Sequence, residues 1–79
     1  MTVQEIAAKV DARGLSCPMP IVRTAQAVKA MAPGDCVEVL ATDPGSVKDF
    51  AAWSKSTGNA ILEQSADGGV YRFVMQKKG

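Results

Sequence analysis

The sequence contains no histidine among its 79 residues and only two cysteines, Cys17 and Cys36. Cysteine hydrolases activate their thiol with a histidine base, so this class of enzyme is excluded. Zinc sites that use histidine are excluded as well, and two cysteines alone make a poor structural metal site. We therefore expect no metal or other cofactor, and chemistry that needs only a nucleophilic sulfur remains open.

Long apolar runs and a strong net charge are also missing. No segment approaches the ~20 apolar residues that span a membrane, and no signal-peptide pattern opens the chain. The formal net charge is +1, which gives no electrostatic case for nucleic-acid binding. We expect a cytoplasmic protein that binds neither a membrane nor a nucleic acid, with its cysteines as reduced thiols.

The chain has the length of one domain, and its pattern alternates between strands and helices. Strands are predicted at 6–10, 36–42, 60–65 and 70–76, with helices at 18–31 and from 43 to the stop at Gly58. The predicted apolar stripe of the first helix is Ile21, Ala25, Val28 and Ala32. Residues 66–69, Ala-Asp-Gly-Gly, predict a hairpin turn between the last two strands.

The element order is therefore βαβαββ. Two strands that are each followed by a helix pair in parallel through a crossover, whereas a terminal hairpin is antiparallel, so the sheet is mixed. Two helices and four strands are arranged most simply with both helices on one face of the sheet. We predict an α+β fold, a two-layer α/β sandwich with a mixed four-stranded sheet.

Cys17 directly precedes a predicted helix start. Pro18 fits the first helical position and Pro20 falls in the same turn, where backbone N–H groups have no intrahelical acceptor. A helix N-terminus carries about half a positive charge, which favours a thiolate over a thiol. Cys17 would lie at the carboxyl end of the first strand, an edge where open α/β sheets place binding sites.

Cys36 has neither a helix start nor flanking prolines to activate it. It opens the second predicted strand, and the whole first helix separates it from Cys17. A disulfide requires Cα atoms within about 7 Å, so the two cysteines are not expected to pair. We predict that Cys36 is a packing residue.

A ten-residue motif with the pattern Asp-x-x-Gly-Leu-x-Cys-Pro-x-Pro contains Asp11, Gly14, Leu15, Cys17, Pro18 and Pro20. Together with Asp43-Pro44 followed by Asp49-Phe50, it resembles the TusA/SirA family of sulfur carrier proteins, and the resemblance extends over essentially the whole chain. It implies one carrier domain over residues 1–79, similar to the C-terminal domain of translation initiation factor three. It also implies that Cys17 accepts sulfane sulfur as a persulfide and passes it to a partner.

The same resemblance implies a cysteine desulfurase or a rhodanese-like protein as sulfur donor, and a downstream acceptor protein. The acceptor would belong to tRNA thiolation, molybdenum cofactor assembly or the oxidation of reduced sulfur compounds. We expect a monomeric, sulfurtransferase-like carrier rather than a free-standing enzyme. The sequence does not distinguish among these pathways.

Three motif residues have expected supporting roles. Gly14 supplies the backbone angles of a tight loop, Leu15 anchors that loop in the core, and Asp11 accepts hydrogen bonds from loop N–H groups. The alternatives are that Asp11 only ends a strand and that Gly14 only forms a turn.

Six further residues are candidates for partner contact: Arg13, Met19, Arg23, Asp43, Lys48 and Asp49. The three basic residues would form a rim near Cys17, although scattered surface charge explains them equally well. Asp43 is better explained as the cap of the second helix, with Pro44 at its first position, whereas a solvated helix face explains Asp49 as well as partner contact does. Met19 would leave an adaptable apolar surface beside the sulfur.

Two classes of function remain in competition. One is a sulfur carrier; the other is a redox-sensing or regulatory interaction domain in which Cys17 transfers no sulfur. A thiol-based reductase is weaker than either, because Cys-Pro-Met-Pro lacks a resolving cysteine.

Overall fold

The computed structural model describes residues 6–16 and 18–78. These residues form β1 (Ile6–Ala12), α1 (Met19–Lys29), β2 (Cys36–Ala41), α2 (Ser46–Thr57), β3 (Ala60–Asp67) and β4 (Val70–Gln76). The predicted βαβαββ order is confirmed. Within this part of the chain, neither helix combines the length and apolar character needed to cross a membrane.

The four strands form one mixed sheet in the order β1-β2-β4-β3. β1 and β2 are parallel, and β4 runs antiparallel to both β2 and β3. The last strand occupies a central place because it is apolar: Phe73, Val74 and Met75 are each at most 1% exposed. β3 forms an edge, and every one of its residues except Ile61 is exposed.

One face of the sheet carries the core, and both helices pack on it, as predicted. Its buried members are Val28 and Met31 from the α1 region, Val37 and Val39 of β2, Phe50 of α2, and Phe73 and Met75 of β4. The ring of Phe50 lies 4.7 Å from that of Phe73 and meets Trp53 edge-on at 6.3 Å. The aromatic side chains therefore join α2 to the centre of the sheet.

The predicted apolar stripe of α1 is wrong at two positions. Ala25 and Ala32 are exposed, whereas the helix buries Pro20, Thr24 and Val28. Thr24 is fully buried because its hydroxyl donates a 2.8 Å hydrogen bond to the carbonyl of Pro20 within the same helix. A polar side chain satisfied in this way can occupy a core position.

Both helices begin later than predicted. Pro18 is the cap of α1 rather than its first residue, and Pro20 stands at the second helical position. α2 is capped by Gly45, not by Asp43. Asp43 instead starts a turn, in which the Ser46 N–H donates to its carbonyl (3.0 Å) and the Gly45 N–H donates to its carboxylate (3.1 Å). Because of this turn, the first residue of α2 is Ser46 rather than Pro44.

The predicted hairpin is confirmed, with a tighter turn than the composition indicated. β3 continues to Asp67, so only Gly68 and Gly69 connect the strands. Their φ angles are +59° and +84°. Two left-handed residues match the twist of the flanking strands, which is why this turn needs glycine.

Candidate functional site

The site lies at the sheet edge where β1 and β2 end. Since these strands are parallel, the segments that lead into α1 and α2 leave the sheet side by side. The N–H of Gly14 donates a 2.9 Å hydrogen bond to the hydroxyl of Thr42, which ties the two segments together. Thr42 was not predicted from the sequence. It directly follows the second of two parallel strands, and the ends of parallel strands lie at the same edge of a sheet, so this position could have indicated its role.

Cys17 itself lies outside the described residues, so the geometry around it is given by its chain neighbours. The N–H of Met19 donates to the carbonyl of Ser16 at 2.8 Å. The first helical bond follows, from the N–H of Val22 to the carbonyl of Pro18 at 3.0 Å. The first turn of α1 contains no acidic residue. The positive end of this helix is therefore not offset by a carboxylate of its own.

Asp11 and Arg13 form a closed pair at the start of this segment. One carboxylate oxygen of Asp11 accepts the Arg13 N–H (3.2 Å) and Nε (2.8 Å), and the other accepts Nη2 (2.9 Å). These bonds from Arg13 lower the pKa of Asp11 to about 2. Asp11 thus accepts loop hydrogen bonds as expected. Because Arg13 is bound to Asp11, it is not a free cation in the predicted basic rim.

Gly14 occupies the third position of a turn that is closed by the N–H of Leu15 and the carbonyl of Ala12, 3.2 Å apart. Its φ is +81°, a value that side chains rarely adopt. A Cβ added to Gly14 would meet no atom within 4 Å, so the backbone angle alone requires glycine here. Leu15 is only half-buried, outside the core where it was expected.

The start of α2 brings together two of the predicted contact residues. A Cβ added to Gly45 would lie 3.6 Å from Oδ1 of Asp43 and 3.8 Å from Oδ2 of Asp49. The two carboxylates therefore flank Gly45 at one helix end. Lys48 is exposed on the same helix. Asp43 has a structural role in the preceding turn, and any contact of Asp43, Lys48 or Asp49 with a partner stays a prediction.

Cys36 lies far from this edge. It begins β2, opposite Ile6, and is 2% exposed. The six residues from Cys36 to Ala41, five steps along the strand, span about 17 Å. Burial, followed by the nearby charge of Asp35, raises the pKa of the Cys36 thiol. Cys36 thus has the surroundings of an unreactive packing residue, while its relation to Cys17 stays a prediction.

We expect Cys36→Ser to accept and donate sulfur at close to the parent rate. A hydroxyl in place of the buried thiol should lower the free energy of unfolding by about 1–2 kcal/mol. Urea unfolding measures the stability, and intact mass after incubation with a sulfur donor measures loading. A loading defect in the folded variant would show that Cys36 participates.

No group of three or more Cys, Asp or Glu side chains is close enough to hold a metal ion in residues 6–16 and 18–78. The groups described at this edge are backbone N–H groups, the Asp11–Arg13 ion pair, the Thr42 hydroxyl and the carboxylates of Asp43 and Asp49. Such groups shape a loop and set its local charge.

Comparison with known proteins agrees with this architecture. The family model described as Sulfurtransferase TusA matches residues 8–77. The sulfur carrier protein TusA of Allochromatium vinosum is 48% identical over 69 residues, covering 87% of this chain and 91% of that protein. The putative sulfur carrier protein YrkI of Bacillus subtilis is 50% identical over 68 residues, covering 86% and 91%.

A solved structure shares the fold. The crystal structure of a SirA-like protein from Desulfitobacterium hafniense superposes with a TM-score of 0.78, covering 91% of this chain and 99% of that one, at 24% identity. The family match extends over most of the chain, and the relatives align over most of their own length. The chain therefore belongs to the TusA family.

Proposed function

We propose that this protein is a sulfur carrier that holds sulfane sulfur as a persulfide on Cys17. The observation that carries the proposal is the start of α1: a helix N-terminus with no acidic residue in its first turn, whose cap, Pro18, directly follows Cys17 in the chain. A thiolate is favoured near such a helix end. The relatives named as sulfur carriers support the same role.

The transfer needs no catalytic base of the carrier's own. The Cys17 thiolate attacks the outer sulfur of a donor's cysteine persulfide, a new S–S bond forms, and the donor's S–S bond breaks. The donor cysteine leaves as a thiolate, and the carrier holds the persulfide. Donation is the same exchange, with the acceptor's thiolate attacking the outer sulfur. No net oxidation or reduction occurs, so the absence of histidine presents no obstacle.

The loop before Cys17 supports this role by limiting how far the chain can move. The bond between Gly14 and Thr42 ties it to the end of β2, and the bond between Ser16 and Met19 joins it to α1. Binding costs less when a reactive segment is already ordered. Ser16 and Pro18, the chain neighbours of Cys17, are exposed, which suits a sulfur atom that must enter another protein.

The partners of such a carrier are a sulfur donor and a sulfur acceptor. We propose a cysteine desulfurase or a rhodanese-like protein as donor, and an acceptor in tRNA thiolation, molybdenum cofactor assembly or sulfur oxidation. The competing function, a redox-sensing interaction domain, predicts oxidation of Cys17 without transfer of sulfur.

Loading can be tested by intact mass. We expect the reduced protein to gain one sulfur atom when incubated with a cysteine desulfurase and cysteine, or with a rhodanese and thiosulfate. Reductant should remove the added atom, and peptide mapping should assign it to Cys17.

Cys17→Ser is the control and should gain no sulfur, whereas Cys36→Ser should load normally. If neither donor system nor a small persulfide loads the folded protein, the carrier function is wrong. Reversible addition of oxygen at Cys17, without sulfur, would favour the redox-sensing alternative.

A further inference from the structure

The parallel pairing of β1 and β2 ends at Ala12 and Ala41, and a side chain makes a contact beyond this last pair. The chain leaves β1 in a turn that is closed by the N–H of Leu15 and the carbonyl of Ala12. The next residue on the β2 side is Thr42, whose hydroxyl accepts the Gly14 N–H at 2.9 Å. A side-chain oxygen thus extends the contact between the two chain segments after the strands themselves have ended.

This bond is not needed to satisfy a buried group. Gly14 is exposed, so water is able to accept its N–H if the Thr42 hydroxyl is absent. With a φ of +81°, Gly14 is also outside the extended conformation that continues a parallel strand pair. The consequence of the bond is therefore geometric: it sets where the chain runs once it has left β1.

The loop that contains Cys17 is short and has an anchor on each side. On one side Gly14 is held to the end of β2, and on the other the Met19 N–H donates to the carbonyl of Ser16 at 2.8 Å. Cys17 follows Gly14 by three residues in the chain. Three residues span at most about 10 Å, so a displacement of the Gly14 anchor is passed on over a short length of chain.

We propose that Thr42 is a positioning residue for sulfur transfer: its hydroxyl holds Gly14, and through this short loop it sets where Cys17 meets another protein. The inference rests on the proposed carrier function. The exchange itself needs only a thiolate and a persulfide, so Thr42 takes no part in making or breaking bonds. Its effect lies in the encounter of two proteins, where a reactive atom has to enter a partner's site in one orientation.

Thr42→Val tests the proposal, because valine keeps the branched shape and lacks the oxygen that accepts the Gly14 N–H. A cysteine desulfurase with cysteine, and separately inorganic polysulfide, load the parent and the variant. We expect the second-order rate constant for loading by the desulfurase to fall about threefold to tenfold, the range for one hydrogen bond. Loading by polysulfide should stay within about twofold of the parent, because a small donor reaches a thiol in many orientations.

Two further variants separate the hydroxyl from the rest of the side chain. Thr42→Ser keeps the acceptor oxygen and should restore loading by the desulfurase to within about twofold of the parent. Thr57→Val is the matched control: the hydroxyl of Thr57 also accepts a backbone N–H, that of Asn59 at 3.3 Å. Thr57 ends α2, about 16 Å along the helix from Ser46, and its variant should load at the parent rate from both donors.

The bond itself can be followed by NMR hydrogen exchange at the Gly14 amide. This N–H should exchange faster in Thr42→Val than in the parent and return to the parent rate in Thr42→Ser. The double variant Gly14→Val/Thr42→Val should load little more slowly than Gly14→Val alone, because both changes break the same bond. Additive losses would mean that the two residues act independently.

The positioning role is wrong if folded Thr42→Val loads from the desulfurase like the parent, or if Thr42→Ser loses as much as Thr42→Val. It is also wrong if loading by polysulfide falls in parallel, which would assign Thr42 to the stability of the fold. Urea unfolding shows whether each variant is folded under the assay conditions. If Thr42→Val does not fold, Thr42→Ala replaces it, with the same expected losses.

Failure of the carrier function gives a different result. If the desulfurase does not load the parent, the rhodanese–thiosulfate pair replaces it as the protein donor. If neither protein loads the parent although polysulfide does, no loading encounter depends on this loop and the role of Thr42 is wrong. If polysulfide fails as well, the carrier function itself is wrong.

Discussion

Phe50→Ala should lower the free energy of unfolding by about 3–5 kcal/mol, the range for truncating a buried aromatic side chain. Phe50 is fully buried and packs against Phe73 and Trp53. The other buried residue of α2 is the small Ser46, so Phe50 is the main anchor of this helix. Domains are typically stable by about 5–15 kcal/mol, so this variant loses a large fraction of its stability.

Urea unfolding followed by far-UV circular dichroism measures the loss. Phe50→Leu is the matched control, since it keeps most of the buried volume and should lose much less stability than Phe50→Ala. A loss below about 1 kcal/mol for Phe50→Ala would contradict the central position of this ring in the core. If Phe50→Ala does not fold, the free energy of unfolding of Phe50→Leu can still be compared with that of the parent, and it should be lower because the side chain is smaller.

Among loop substitutions other than those of Cys17 itself, Gly14→Val should slow sulfur loading the most. At a φ of +81°, a side chain costs roughly 1–2 kcal/mol, and a β-branched one is the least tolerated. The chain can relieve this strain by moving Gly14, which breaks its bond to the Thr42 hydroxyl. Because a misplacement of about 1 Å can cost a reaction up to a hundredfold, we expect loading to slow roughly tenfold to a hundredfold.

Two controls separate backbone strain from side-chain size. Gly14→Asn should stay close to the parent, because asparagine tolerates the left-handed region and a Cβ here meets no atom within 4 Å. Gly45→Ala should also be well tolerated, since Gly45 has a φ of −73° and its added Cβ would make only ordinary contacts. Equal loading by Gly14→Val and the parent, with both folded, would show that this turn does not position the site.

The backbone on either side of Cys17 in the chain could be predicted from the sequence because it depends on neighbours in the chain. The prolines that follow Cys17 predicted a helix start, and α1 begins at Met19, within one residue of the expected position. The glycine before Cys17 predicted a tight turn, and Gly14 has a left-handed φ. Cys17 itself lies outside the described residues, so its role as the persulfide carrier stays a proposal.

The sequence by itself also determined the type and order of the elements, because hydrophobic periodicity and turn residues act locally. The connections between elements predicted the β1–β2 and β3–β4 pairs, whereas tertiary structure alone decided that β2 pairs with β4. β4 lies inside the sheet and β3 at its edge. β4 pairs with β2 along one edge and with β3 along the other, and this central position buries the apolar strand. Local patterns carry no information about how the parallel pair and the hairpin join in one sheet.

The burial and pairing of individual side chains also depend on the tertiary structure, so some of them were predicted wrongly from the sequence. Thr24 is buried because a carbonyl one turn earlier accepts its hydroxyl hydrogen, and polarity alone predicts the opposite. Arg13 and Arg23 look alike in the sequence, yet one is bound to Asp11 and the other stays unpaired among the described residues. Only the folded chain sets the distance between a donor and its acceptor, and this distance decides whether a charge remains available to a partner.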